Sequence, residues 1–374
     1  MKKKILILGT SDFGGVTNYV ASYINRINDF DFILTHDDSM NKNKIMELFP
    51  EAALMKIPHT YTFLSFYKTI KILNYKITYN KIDIVHAHTL RAGFLAAMCK
   101  LLSKNKIRLL YTGHGLRYTQ KTKKVNRLIF KQIEKLVNSI SDKVIFIREL
   151  DYLLAKEEKL VSPQKSNFIR TQLPPRKNDS VFFDIRAKFN ISTPYVIINA
   201  ASIYDLKNPD LFIEVAKRVI AKCNDFTFVW FGEGITRYEI IAKIEKLGLS
   251  NRILFPGAID AKYMLNVFEQ VNALLLTSKI ETFSLAILEA YLTNTLVLSS
   301  DFNGVGEIIK DKETGFIFNM NNPNEASKAI LEVFGNEDRL KKVINQGKSF
   351  FEKCFNNIDG FTNNHVQLYK QILK

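Results

Sequence analysis

Short apolar runs alternate with helix-length segments along almost the whole of this 374-residue chain, and few folds accept that rhythm. The runs fall at residues 5–8, 32–35, 83–86, 109–112 and 144–147, and again at 195–199, 226–231, 253–255, 273–276 and 296–299. Each is too short for a helix and nearly uniformly apolar, the pattern of a strand covered on both faces. A helix-length stretch between successive strands implies βαβ units and parallel sheets. The two sets are separated by residues 168–179, a polar stretch with Pro174-Pro175 that reads as an interdomain linker. The expectation is an α/β chain of two doubly wound domains, residues 1–175 and 176–349.

The most informative segment follows the run at 273–276. Thr277-Ser278-Lys279-Ile280 leads to Glu281, and an apolar helix then carries a second carboxylate, Glu289. Glu289 stands among Leu288, Ala290, Tyr291 and Leu292, where an unpaired charge is costly to bury, so a polar partner is expected. A helix opening at Phe283, Ser284 and Leu285 would set free backbone N–H groups and the positive end of its dipole between the two carboxylates. Eight residues of helical rise separate the carboxylates by roughly 12 Å, a span that suits a sugar, a diphosphate and a ribose in line.

This segment resembles the E-x7-E signature of retaining nucleotide-sugar transferases of the GT-B fold, and within them glycosyltransferase family 4. Asp301-Phe302-Asn303-Gly304-Val305-Gly306-Glu307-Ile308-Ile309 and Thr314-Gly315-Phe316 resemble that family's D-x-G-G-x-x-E-I-I and T-G-F segments. The resemblance implies two Rossmann-like domains facing across a cleft, with the acceptor on the first and the donor on the second. It also implies a last helix, about 350–374, that returns to the first domain. It assigns Glu289 to the ribose hydroxyls, Glu281 to the sugar hydroxyls, and Thr282 with the amides of Phe283, Ser284 and Leu285 to the diphosphate. No protein nucleophile, cofactor or metal is implied.

Further positions extend the resemblance. Gly14-Gly15 precede the helix after strand one, where paired glycines let backbone approach phosphate. Lys207 matches the family's diphosphate-neutralising lysine. Ser202 stands where the family usually has an arginine, leaving one cation in place of two. Gly232 and Gly234, with Pro256-Gly257, match loops around the nucleotide. Tyr111-Thr112-Gly113-His114-Gly115 matches T-x-H-G, in which the His114 imidazole faces the donor sugar. His88, two residues from His86 at a strand end, is a weaker candidate for contact with the acceptor, and as a zinc pair the two lack further ligands nearby. Asp29-Phe30-Asp31 is formally a D-x-D but precedes a strand, so it reads as a turn.

Charge is uneven. Residues 1–180 hold 31 Lys and Arg against 15 Asp and Glu, whereas residues 181–374 hold 22 of each, so the whole net charge of +16 lies in the first half. Lys124, Arg127, Lys131 and Lys135 share one helical face, and Val125, Ile129, Ile133, Leu136 and Val137 form another that is expected to pack inward. With the mixed aromatic and basic residues 63–72, this pattern points to an anionic membrane leaflet as a partner. No recognised nucleic-acid motif accompanies the charge.

The apolar run after Lys2-Lys3-Lys4 stops at Gly9, too short for a signal peptide, and no run approaches the roughly 18 residues that span a bilayer. Three scattered cysteines suggest neither disulfides nor a metal knuckle. A cytoplasmic protein, peripheral at most, is the expectation. The activity expected is sugar transfer from a nucleotide diphosphate, with UDP favoured, to a hydroxyl of a lipid-linked saccharide in surface-glycan assembly. The alternative is an anion- or nucleic-acid-binding module whose second domain is not catalytic. A dinucleotide oxidoreductase is disfavoured, because G-x-G-x-x-G is missing after strand one.

Overall fold

The computed structural model describes residues 2–10, 14–38, 40–58, 63–103, 106–119, 124–174 and 182–374. The chain divides into two compact units, Met1–Pro174 with Asn357–Lys374, and Pro175–Asn356.

In the first unit the elements run β1 (Lys3–Leu8), α1 (Gly15–Ile24), β2 (Phe30–His36), α2 (Lys42–Leu48), β3 (Ala53–Lys56), α3 (Phe63–Tyr79), β4 (Ile84–His88), α4 (Leu90–Leu102), β5 (Arg108–Gly113), α5 (Lys124–Ile140), β6 (Lys143–Phe146), α6 (Glu149–Glu157) and β7 (Ser166–Phe168). The second unit continues with α7 (Ile185–Phe189), β8 (Tyr195–Ala200), α8 (Pro209–Ile220), β9 (Phe226–Phe231), α9 (Arg237–Lys246), β10 (Ile253–Gly257), α10 (Met264–Glu269), β11 (Ala273–Leu276), α11 (Leu285–Leu292), β12 (Leu296–Ser300), β13 (Phe316–Phe318), α12 (Pro323–Phe334) and α13 (Glu337–Phe355). The final helix α14 (Ile358–Leu373) belongs to the first unit.

Both sheets are parallel. Their strand orders are β3-β2-β1-β4-β5-β6-β7 and β10-β9-β8-β11-β12-β13. Each order reverses direction once, between β1 and β4 in the first sheet and between β8 and β11 in the second. In a doubly wound sheet ligands settle beyond the carboxyl ends of the strands at such a reversal.

Strand alternation sorts side chains to the two faces of the first sheet. Val85, Ala87, Leu109 and Tyr111 pack in a core with residues of α4 and α5, while Ile84 and Leu110 join α1 and α14 through Tyr23, Phe361 and Tyr369. His86 and His88 lie on that second face, fully buried. In the second unit Ile197, Phe228, Trp230 and Leu275 meet the apolar side of α8, including Phe212 and Val215.

Two expectations about boundaries need correction. Residues 168–174 are not free linker: Phe168 ends β7, and Ile169, Thr171, Gln172 and Leu173 are buried in the first unit. Residues 175–179 lie outside the described residues. The return to the first unit starts at Asn357, because α13 continues to Phe355 and packs against α11 and β12 of the second unit.

Candidate functional site

The reversal in the second sheet brings the loop after β8 against the loop after β11. The Thr277 hydroxyl donates to the carbonyls of Lys207 (3.0 Å) and Asn208 (3.1 Å), and the Lys279 amide donates to the Leu206 carbonyl at 2.8 Å. This stitching places Lys207 Nζ on Glu281 Oε1, and the Ser278 hydroxyl donates to the same oxygen at 2.9 Å. The pair is largely but not fully enclosed, with side-chain exposures of 17% and 12%. An ammonium has three donors and a carboxylate two oxygens, so the pair keeps capacity for a polar ligand.

Helix α11 begins at Leu285, later than the earliest start considered from sequence. Its cap residue Ser284 makes no side-chain capping bond, so the amides of the first turn receive no closure from that hydroxyl. Thr282 and Phe283 lie in the half-buried approach to the helix, and Glu289 is buried on it at 5% exposure. The Tyr291 hydroxyl donates to the Ile308 carbonyl at 3.0 Å and bonds the Thr314 hydroxyl at 3.1 Å. The 301–309 and 314–316 segments therefore anchor the helix that carries Glu289.

Glycines around this site divide by cause. A Cβ on Gly232 would stand 1.9 Å from the Ala201 carbonyl oxygen, and Gly232 N donates to Gly257 O at 2.9 Å. Close packing of two loops accounts for that glycine, with Gly234 held against Ile203 in the same way. Pro256 and Gly257 close β10 beside them, and Ser202 is exposed. In the first unit Gly14 has φ +107°, and among the described residues added Cβ atoms on Gly14 or Gly15 meet nothing within 4 Å.

His114 follows β5 and is half-buried. Its Nε2 lies 3.0 Å from His88 Nδ1, the Tyr19 ring stands edge-on at 5.0 Å, and burial lowers its pKa to about 3. Beyond the ends of β1, β2 and β4 lies a hollow of about 210 Å³, with Gly9, Thr10, Thr35, His36, Asp37 and Arg91 in its wall.

Comparison with known proteins decides what this arrangement belongs to. The model of the glycosyl transferases group 1 matches residues 181–350, and that of Glycosyltransferase Family 4 matches residues 13–150. The chain belongs to glycosyltransferase family 4. It is thus a glycosyltransferase of the GT-B fold that acts on a nucleotide sugar. The transferase is 25% identical over 366 residues to an uncharacterized glycosyltransferase of Methanocaldococcus jannaschii, covering 91% of this chain and 92% of that one. It is 24% identical over 317 residues to the UDP-Gal:alpha-D-GlcNAc-diphosphoundecaprenol alpha-1,3-galactosyltransferase of Escherichia coli, covering 83% and 78%. Among solved structures it resembles Anabaena HepE in complex with UDP and glucose, with a TM-score of 0.80 at 14% identity over 99% and 100% of the two chains.

Two other expectations for the transferase fail on burial. His88 was a candidate for acceptor contact, yet it is fully buried behind His114, because its position on β4 points it toward α1. The face of α5 expected to pack inward is exposed at Val125 (69%), Ile129 (51%) and Leu136 (41%), while only Ile133 and Val137 of it pack against the core. Beside Val137 the helix buries Glu134 and Asn138, which the expectation did not include. Of its cations, Lys124 and Lys135 are exposed, whereas Lys131 pairs with Glu158 at 3.1 Å and Arg127 Nε donates to the Tyr118 carbonyl at 3.0 Å. Residues 121–123 lie outside the described residues. Asp29 pairs with Lys370 at 2.6 Å, as a turn residue can.

Sequence reasoning missed Glu134. It is fully buried, accepts from the Tyr111 hydroxyl at 3.1 Å, and is pushed up to about pKa 8 by burial. A glutamate on the same helical face as Val137 was the available signal, hidden by the more regular apolar spacing beside it.

Proposed function

We propose that the transferase moves a hexosyl or N-acetylhexosaminyl group from a UDP-sugar to a hydroxyl of a lipid-linked saccharide in surface-polysaccharide assembly, with retention at the anomeric carbon. The observation that carries this reading is the Lys207–Glu281 pair at the reversal of the second sheet, directly before the uncapped start of α11. A diphosphate laid along that start meets the Lys207 ammonium and the first-turn amides, which stabilise the charge that grows as the leaving group departs. Glu289 holds the ribose hydroxyls and Glu281 the sugar hydroxyls. His114 faces the sugar.

Retention proceeds on one face. The acceptor oxygen bonds C1 as the C1–O bond to UDP breaks, and the acceptor proton passes to the departing phosphate oxygen. No protein nucleophile and no metal enter, since Lys207 and the helix end carry the diphosphate charge. The hollow beside β1 and β4 receives the acceptor saccharide.

The exposed Val125, Leu128 and Ile129, flanked by Lys124 and Lys135, support peripheral binding to the anionic cytoplasmic leaflet. No helix among the described residues is long and apolar enough to cross a membrane. The diphosphoundecaprenol-linked acceptor named for the E. coli relative favours the same placement.

A panel of UDP- and GDP-sugars, followed by turnover of the tightest binder in EDTA and proton NMR of the product anomer, tests this reading. Retained configuration, EDTA-resistant turnover and its loss in Glu281→Ala are expected. An inverted product or turnover that needs added metal would overturn the mechanism, and binding to duplex DNA without any nucleotide binding would favour the alternative module.

A further inference from the structure

Polar side chains fill a region of the first unit where apolar ones normally sit. His86 and His88 of β4, Thr112 of β5, Tyr23 of α1 and Tyr369 of α14 are all buried, and they bond to one another. Burial lowers the pKa of His86 and His88 well below that of a free imidazole, so both are neutral near pH 7.

With Tyr369 as the donor to Tyr23, one proton per hydroxyl and one per neutral ring give a consistent direction to every bond in the chain. Tyr369 donates to the Tyr23 oxygen at 3.4 Å. Its only proton is then committed, so His86 Nδ1, 2.7 Å from the Tyr369 oxygen, is the donor in that pair. His86 Nε2 accepts from the Thr112 hydroxyl at 2.7 Å. Because His86 Nδ1 already carries hydrogen, the Tyr23 proton goes to His88 Nε2 at 3.4 Å. Neutral His88 therefore bears its hydrogen on Nδ1 and donates it to His114 Nε2 at 3.0 Å. Tyr19 stays outside this count, since the His365 Nδ1 hydrogen goes to the Phe361 carbonyl and leaves Nε2 to accept from Tyr19.

We propose that His88 is a positioning residue that fixes His114 as the Nδ1–H tautomer and so makes it a hydrogen-bond donor toward an oxygen of the bound sugar. The role depends on the reading above, in which His114 faces the donor sugar. His88 itself touches no substrate. Its second neighbours Tyr23 and Tyr369 extend the same control to α14, the helix that the chain returns to the first unit.

Two substitutions separate positioning from packing. In His88→Asn the amide reaches the place of Nδ1 and keeps the bond to His114, while His88→Gln extends past it toward the place of Nε2 and keeps only Tyr23. Nitrogen-15 NMR of the six histidines reads the tautomers directly, with His114→Ala assigning the signal. The wild type is expected to show His114 as Nδ1–H. His88→Asn should preserve that signature and kcat, whereas His88→Gln should give mixed tautomers and a kcat lower by about 10-fold, the size of one lost hydrogen bond. An Nε2–H tautomer of His114 in the wild type overturns the proposal without reference to activity, as does an equal effect of the two variants on kcat with an unchanged tautomer. A wild type that turns over no nucleotide sugar would instead sink the transfer reading and leave the tautomer result standing.

Discussion

Glu134 should make the stability of the first unit fall as pH rises, and Glu134→Gln should abolish that fall. Burial is the main cause of its raised pKa, with the Asp151 charge adding and the Tyr111 hydrogen bond opposing. Its Oε2 and both side-chain polar atoms of Asn138, one turn on, have no partner among the described residues, which suits a protonated carboxyl better than an ionised one. The folded pKa, about 8, lies above the free value of 4.5, so between these values the unfolded chain has lost a proton that the folded chain keeps. Stability from this group is therefore complete below about pH 4.5 and declines by roughly 1.4 kcal/mol per pH unit until about pH 8. From pH 5 to 7.5 the loss is about 3 kcal/mol, on the order of 6–12 °C in Tm for a unit this size. Glutamine keeps the acceptor for Tyr111 and cannot ionise. Scanning calorimetry of both proteins across this range should show the variant gaining on the wild type as pH rises. Parallel curves, or a gap that widens toward acid, would refute the assignment of a neutral buried carboxyl.

Two other outcomes follow from packing and exposure. Gly347→Ala puts a Cβ 2.7 Å from the Tyr291 ring and 3.0 Å from the Thr314 carbonyl, so a loss of about 1–3 kcal/mol is expected in thermal unfolding, with weaker UDP binding as α11 shifts. Paired Leu128→Ser and Ile129→Ser changes on α5 should cut sedimentation with phosphatidylglycerol vesicles about 10-fold at unchanged Tm, since both side chains are already exposed. Unchanged sedimentation would remove α5 from the membrane face.

The central strands were legible because their burial on both faces leaves an uninterrupted apolar run, as at Phe226–Phe231 and Ala273–Leu276. The edge strands β3, β7 and β13 were not read, because they have only three or four residues, and β3 and β7 bear partly exposed ones that break the run. On α5 the spacing of Val125, Ile129, Ile133, Leu136 and Val137 gave a correct amphipathic helix but an inward side right only at Ile133 and Val137, since periodicity alone does not distinguish a core from a surface that waits for a partner. Lys207 and Glu281 were each legible by motif, but they lie 74 residues apart and meet only because β8 and β11 pair side by side. The bond of His86 to Tyr369 was not legible, because Tyr369 reaches His86 only as α14 returns to the first unit.

The central claim is that the reversal of the second sheet grips a nucleoside diphosphate through Lys207 and the opening of α11. Calorimetric titration of the intact protein and its Lys207→Met variant with UDP tests it most directly. Saturable binding by the wild type, weakened about 10- to 100-fold in the variant as befits a lost charge-assisted bond, is the predicted result. Equal affinity in the two proteins would contradict it.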